Sequence, residues 1–141
     1  MVLFDANLLI ALADHDHEHH HLAVAFHAKV GVEGWVTCPL TENAFLRIIA
    51  HPNYPKGPGS PGAARELLKR LTSQPGHDFW PDSISLCDHR AFRVLPSSKH
   101  LTDYYLLALA VRNGSTLATF DRRIDPTLIK GGQDAYNVLQ K

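Results

Sequence analysis

The stretch "TLATFDRR", residues 116–123, combines the pattern of a buried strand with an acid directly after it. Its first five residues are apolar or β-branched, a composition typical of a buried strand. The strand then ends at Asp121, which Arg122 and Arg123 follow. Strands are more often bounded by Gly, Asn or Pro. A carboxylate at this point therefore raises the question of which other acids it meets.

Strand and helix patterns alternate along the rest of the chain. Apolar runs predict strands at Val2–Phe4, "WVTC", "HDFWP", "STLATF" and "AYNVL". Helical spacing predicts helices at "NLLIALAD", residues 18–30, "LTENAFLRIIA", residues 63–71, residues 84–92 and "KHLTDYYLLALAVRN". Asn7 is the expected cap of the first helix, and Ser97 or Ser98 that of the last. This alternation predicts βαβ units and a mainly parallel sheet covered on both faces.

The composition indicates one globular domain spanning residues 1–141, because 45% of the residues are hydrophobic and 20% are charged. Fourteen basic side chains balance fourteen acidic ones, so a nucleic-acid partner would require a local basic surface. The first 21 residues contain acids and no basic leader. We therefore expect neither a signal peptide nor a membrane span, and a cytoplasmic protein without a membrane partner.

Four acids lie at strand ends or helix starts on one edge of the predicted sheet. Asp5 and Asp121 end strands, Glu42 begins the helix after the second strand, and Asp103 begins the helix before the fourth. Sites in parallel sheets form at the carboxyl ends of the strands. Any one acid alone could be a turn or cap residue, but clustered carboxylates repel unless a cation neutralises them. Oxygen donors without Cys or His at these positions predict Mg²⁺ or Mn²⁺.

Several stretches carry a family pattern in their order and spacing: "FDANLLIAL", "TENAFLRI", "LTDYYLLALA" and "TLATFDRRI", together with "HDFWPDSISLCD". The pattern resembles the PIN domain, and within it the VapC-type toxin ribonucleases of bacterial toxin–antitoxin pairs. The resemblance implies a three-layer α/β/α sandwich with a mainly parallel sheet of about five strands. It also implies a Mg²⁺- or Mn²⁺-dependent endoribonuclease that acts as a toxin on RNA, and a small antitoxin encoded beside it.

The resemblance further implies roles for particular residues. The catalytic and metal-binding quartet would be Asp5, Glu42, Asp103 and Asp121, with Asp5 and Asp103 as the principal ligands. Asn7 and Thr119 match polar positions that support the first and last acids.

Two other features require an interpretation. Residues 15–21, "HDHEHHH", contain five histidines and could bind Zn²⁺ or Ni²⁺, but their position after the first helix indicates a solvated helix start away from the acid edge. Arg122 and Arg123 are either a solvated turn or phosphate contacts beside the metal, since arginine grips phosphate through paired hydrogen bonds.

Other functions stay open from the residues alone. The same acid cluster would serve another metal-dependent phosphoesterase or a DNase, because nothing in the sequence reads a 2′-hydroxyl group. A non-catalytic, His-rich metal-binding module is a further alternative. Apolar and aromatic side chains on a domain this small, together with the family resemblance, predict a homodimer. The antitoxin is expected to cover the acid edge with an arginine.

Overall fold

The computed structural model describes residues 1–140. In this part of the chain five strands form one sheet: β1 (Val2–Phe4), β2 (Trp35–Thr37), β3 (His77–Phe79), β4 (Thr116–Thr119) and β5 (Tyr136–Val138). The strand order is β3-β2-β1-β4-β5, and every neighbouring pair is parallel. The helices are α1 (Ala6–Ala13), α2 (His20–Val30), α3 (Pro39–Ile49), α4 (Pro61–Thr72), α5 (Leu101–Arg112) and α6 (Gly132–Ala135). The prediction of a parallel five-stranded α/β fold is confirmed.

Alternating strand residues divide the core into two halves, since successive side chains point to opposite faces of a sheet. Leu3 and Leu117 pack with the buried side chains of α5. Phe4 and Ala118, one residue further along the same strands, pack with α1, α3 and α4. Helices thus cover both faces, which confirms the three-layer sandwich. Among residues 1–140, every helix is too short or too polar to span a bilayer.

Helix α5 is buried on all sides, with seven consecutive buried residues at 104–110. A helix that is apolar all round belongs in a protein interior. Its two tyrosines also hold the flanking loops: the Tyr104 hydroxyl accepts a hydrogen bond from the Asp125 amide at 3.0 Å, and the Tyr105 hydroxyl accepts one from the Ile84 amide at 3.3 Å. This anchoring places Asp103, in the first turn of α5, at the acid edge of the sheet.

The predicted helix at residues 84–92 is absent, and this segment is irregular. The Asp88 carboxylate accepts hydrogen bonds from the amides of Arg90 and Ala91, at 2.9 and 3.3 Å. Such side-chain bonds compete with helical ones and favour a turn. Phe92 stacks on Tyr105 at a ring distance of 5.9 Å, so packing on α5 takes the place of helical structure.

Both predicted helix caps are wrong. Asp5, not Asn7, caps α1, because its carboxylate accepts a hydrogen bond from the Leu8 amide. Helix α5 begins after His100, whose side chain makes no capping hydrogen bond, so neither Ser97 nor Ser98 is its cap.

Gly76 allows the edge strand β3 to pair closely with β2. Its φ of +85° is in the left-handed region, and a Cβ atom there would lie 1.7 Å from the Gly31 carbonyl oxygen. Only glycine fits this approach. The Gly76 carbonyl accepts a hydrogen bond from the Trp35 amide at 3.0 Å, which brings His77 alongside Trp35.

Candidate functional site

Asp5 lies where β1 ends and α1 begins, and it is only 4% exposed. Its Oδ1 accepts a hydrogen bond from the Leu8 amide at 2.8 Å, and its Oδ2 accepts one from the Thr119 hydroxyl. The pKa of Asp5 is raised to about 6, chiefly by burial and also by the charges of Asp103 and Asp121, whereas the two hydrogen bonds lower it. Asp5 is therefore an acid that is costly to ionise without a compensating cation.

Asp121 lies just beyond β4 and is fixed from three directions. Its amide donates to the Thr119 hydroxyl at 3.0 Å, so Thr119 joins Asp121 to Asp5. Arg123 grips its carboxylate with Nε and Nη2, each at 3.0 Å, and this pairing holds the pKa of Asp121 below its usual range. The Tyr136 hydroxyl donates to its backbone carbonyl.

Asp103 faces Asp121 from the first turn of α5. Burial, and then the charge of Asp121, raise the pKa of Asp103, whereas His100 and Arg123 oppose this shift. His100 Nδ1 lies 3.6 Å from Asp103 Oδ2. His100, Asp103 and Asp121 each offer one ligand atom, and these atoms all lie within 4.8 Å of one another.

His100 is a site residue that the sequence reasoning missed. The sequence predicts an oxygen donor set from the four acids, and in the structure an imidazole nitrogen lies beside two of them. The available signal was its spacing, because a residue three positions before Asp103 lies one helical turn away and on the same side. Asp5 and Glu42 lie outside this group of three ligand atoms.

Glu42 is held at the end of β2 by a separate chain of hydrogen bonds. The Thr37 hydroxyl donates to Glu42 Oε2 at 2.7 Å, and His77 Nε2 lies 2.8 Å from the same hydroxyl oxygen. Thr37 has one proton to give, so His77 donates through Nε2. His77 thereby orients Thr37, and Thr37 orients Glu42.

Tyr136, at the start of β5, is a second residue that the sequence reasoning missed. Burial, followed by the charges of Asp121, Asp103 and Asp5, raises the pKa of its phenol to about 12. Its hydroxyl also donates to the Asp121 carbonyl, so Tyr136 lies beside the acid cluster. Its sequence context, "AYNVL", indicated a strand but carried no signal of a site.

A cavity of about 300 Å³ adjoins the acids and is lined by Asn7, Phe120, Asp121, Arg122 and Arg123. Arg123 forms an ion pair with Asp121. Within residues 1–140, no carboxylate lies at ion-pair distance from Arg122. Arg122 is also exposed. Of the two arginines, Arg122 is the one free to contact an incoming phosphate.

One histidine of the run, His19, lies next to this cavity. His19 stacks on Phe120, with ring centroids 4.6 Å apart and an interplanar angle of 27°. The expectation that the whole run lies away from the acid edge is wrong for His19, because α2 begins beside the end of β4. In the described part of the chain, no three residues that include a histidine of the run bring their ligand atoms together as His100, Asp103 and Asp121 do.

The acids fit a divalent cation. Burial and mutual repulsion both disfavour the ionised forms of Asp5 and Asp103, and the positive charge of a bound cation would offset both. Carboxylate oxygens dominate the donor set, as in sites for hard cations.

Comparisons with known proteins place the chain in a family. The model of the PIN domain matches residues 2–127. The chain is similar to Ribonuclease VapC44 of Mycobacterium tuberculosis, with 40% identity over 131 residues and 92% of both chains covered. It is also similar to Ribonuclease VapC39 of the same organism, with 38% identity over 121 residues, 84% of this chain and 87% of the relative.

A solved structure agrees with the fold. The crystal structure of Mycobacterium tuberculosis VapC20, described as a Sarcin-Ricin loop cleaving toxin, aligns with a TM-score of 0.59 at 10% identity. The alignment covers 83% of this chain and 87% of that one. The chain therefore belongs to the PIN-domain family, within the group of the VapC ribonucleases.

Proposed function

We propose that this protein is a Mg²⁺- or Mn²⁺-dependent endoribonuclease that acts as the toxin of a toxin–antitoxin pair. The observation that carries the proposal is the convergence of Asp5, Asp103 and Asp121. Thr119 joins Asp5 to Asp121 by hydrogen bonds, and Asp103 and Asp121 have ligand atoms within 4.8 Å of each other. The similarity to Ribonuclease VapC44 over 92% of the chain supports the same reaction class.

Asp5, Asp103 and Asp121 would hold the cation, and His100 lies beside Asp103. A bound divalent ion supplies a Lewis acid that lowers the pKa of water and offsets charge on the phosphodiester. Thr119 keeps Asp5 in place, and Arg123 keeps Asp121 in place. Preorganised acids of this kind do not have to be arranged during the reaction.

The remaining groups act on the substrate. Arg122, which is exposed, holds a phosphate of the RNA backbone. Glu42, oriented by Thr37, accepts a proton from the attacking water. Asn7 lines the cavity at Asp121 and contributes a polar side chain to its wall.

The protein's partners follow from the same site. An antitoxin arginine would pair with the acids and compete with the cation. We also propose a homodimer, because large apolar side chains are exposed, among them Val32, Phe79 and Val94.

The test uses a single-stranded RNA and a DNA of the same sequence, each incubated with Mg²⁺, Mn²⁺ or EDTA. The expected result is cleavage of RNA alone, abolished by EDTA and by Asp103→Asn. Equal cleavage of DNA would favour a general phosphoesterase, and cleavage in EDTA would refute the role of the cation. The product of the neighbouring gene should inhibit cleavage, and failure to do so would contradict the toxin–antitoxin assignment.

A further inference from the structure

We propose that His19 and Phe120 form a subsite for one nucleobase of the RNA, next to the acid cluster. Arg122 would hold the phosphate that joins this nucleotide to the one at the acids. The inference deepens the proposed function, because it rests on RNA being the substrate. It assigns a role to one histidine of the run and to an aromatic side chain that the catalytic acids leave unused.

The first argument is continuity between two cavities. One, of about 380 Å³, is lined by His19, Leu22, Phe120, Arg122, Leu139 and Gln140. The other, at Asp121, shares Phe120 and Arg122 with it. A strand of RNA whose phosphate lies at Asp121 can therefore place the neighbouring nucleotide directly against His19 and Phe120. The volume is within the range of roughly 300–1,000 Å³ that is typical of small-ligand sites.

The second argument is how His19 is held. Its Nε2 lies 3.4 Å from the exposed carboxylate of Glu18, and within residues 1–140 its Nδ1 has no hydrogen-bond partner. The His19 ring also lies 5.7 Å from the ring of His17, but stacking on Phe120, at 4.6 Å and 27° from parallel, is the closer aromatic contact. His19 and Phe120 both line the cavity, so the stacked rings form part of its wall.

The third argument is the chemistry of the lining. Two stacked rings and the side chains of Leu22 and Leu139 form an apolar wall, while Arg122 supplies positive charge and Gln140 an amide. A flat heteroaromatic ring attached to a phosphate matches this combination. Proteins that bind single-stranded nucleic acid use the same pairing of aromatic stacking with basic side chains.

The test measures binding of single nucleotides to the metal-free protein by NMR titration, so it does not depend on catalysis. The probes are the four nucleoside 5′-monophosphates, with ribose 5-phosphate as the ligand that lacks a base. The variants are His19→Ala, His19→Phe and Arg122→Gln. His21→Ala, in the same run and exposed, is the matched control. Melting curves establish that each variant is folded.

We expect at least one nucleotide to bind roughly tenfold more tightly than ribose 5-phosphate, as one base–aromatic stack would provide. His19→Ala should remove this preference, His19→Phe should restore it, and His21→Ala should leave it unchanged. Arg122→Gln should weaken all the phosphates alike. In RNA cleavage, His19→Ala should raise KM with little change in kcat.

Equal binding of nucleotides and ribose 5-phosphate, or a preference that survives His19→Ala, would overturn the subsite. A parent protein that cleaves no RNA would instead overturn the proposed function, while the nucleotide titration would still decide the subsite.

Discussion

Replacing Asp5 by Asn should stabilise the metal-free protein near neutral pH. The pKa of the buried Asp5 is about 6, against 3.8 for a free aspartate, so folding opposes its ionisation. Two pKa units correspond to about 3 kcal/mol. Because the folded-state pKa is the higher one, stability falls as pH rises from about 4 to about 6 and stays at the lower level above. Asn carries no charge and keeps an oxygen for the Leu8 amide.

The assay is thermal unfolding in EDTA over a range of pH. For a chain of 141 residues, about 3 kcal/mol corresponds to a rise in Tm of roughly 5–10 °C at about pH 7.5. The difference between Asp5→Asn and the parent should disappear below about pH 3, where Asp5 is protonated in both the folded and the unfolded state. Adding Mn²⁺ should raise the Tm of the parent, since a ligand of the folded state stabilises it by mass action, and raise that of the variant much less.

The control is Asp125→Asn. Asp125 caps a short 3₁₀ turn at Pro126–Leu128 through the Thr127 amide, and Asn retains this function. It should cleave RNA, respond to Mn²⁺ as the parent does, and melt within a few degrees of it. An Asp5→Asn variant that melts below the parent at every pH, or a parent that Mn²⁺ does not stabilise, would refute the reasoning.

Three other experiments probe the site and the assembly. His77→Phe keeps an aromatic ring beside Trp35 but removes the hydrogen-bond donor to Thr37, so kcat should fall by roughly tenfold at unchanged KM. His77→Gln has a donor at the same position and should recover kcat. Equal activity of both variants would contradict the hydrogen-bond chain. Joint replacement of His17 and His21 by Gln should leave RNA cleavage and its metal requirement unchanged, and abolition would return the active site to the histidine run. Light scattering at micromolar concentration should give the mass of a dimer, and a strict monomer would contradict the homodimer.

The sequence alone determined the fold class and the positions of the main acids. Period-two and period-3.6 patterns are local properties, so short strands such as Val2–Phe4 and a helix such as Leu101–Arg112 could be located from neighbouring residues. An acid that ends a strand of a parallel sheet also has a known edge, which placed Asp5 and Asp121 on the same side before any contact was known.

Local patterns were insufficient where one segment depends on distant partners. Residues 84–92 have helical spacing, yet Asp88 bonds to its own backbone and Phe92 packs on α5. The cap of α1 is likewise Asp5, because a strand-end aspartate can serve the helix and the site at once. Neither of these competing interactions can be predicted from the spacing of apolar residues.

Only the tertiary structure decided which side chains meet at the site. In the folded protein His100 lies beside Asp103 and Asp121, and Glu42 accepts a hydrogen bond from Thr37. His19 stacks on Phe120, which is about 100 residues away in the sequence. Such contacts depend on how helices of fixed length pack on a twisted sheet and on the rotamers that packing allows. Strand-end chemistry can be read from the sequence because it is local, whereas the neighbours of each acid come from elements far apart in the chain.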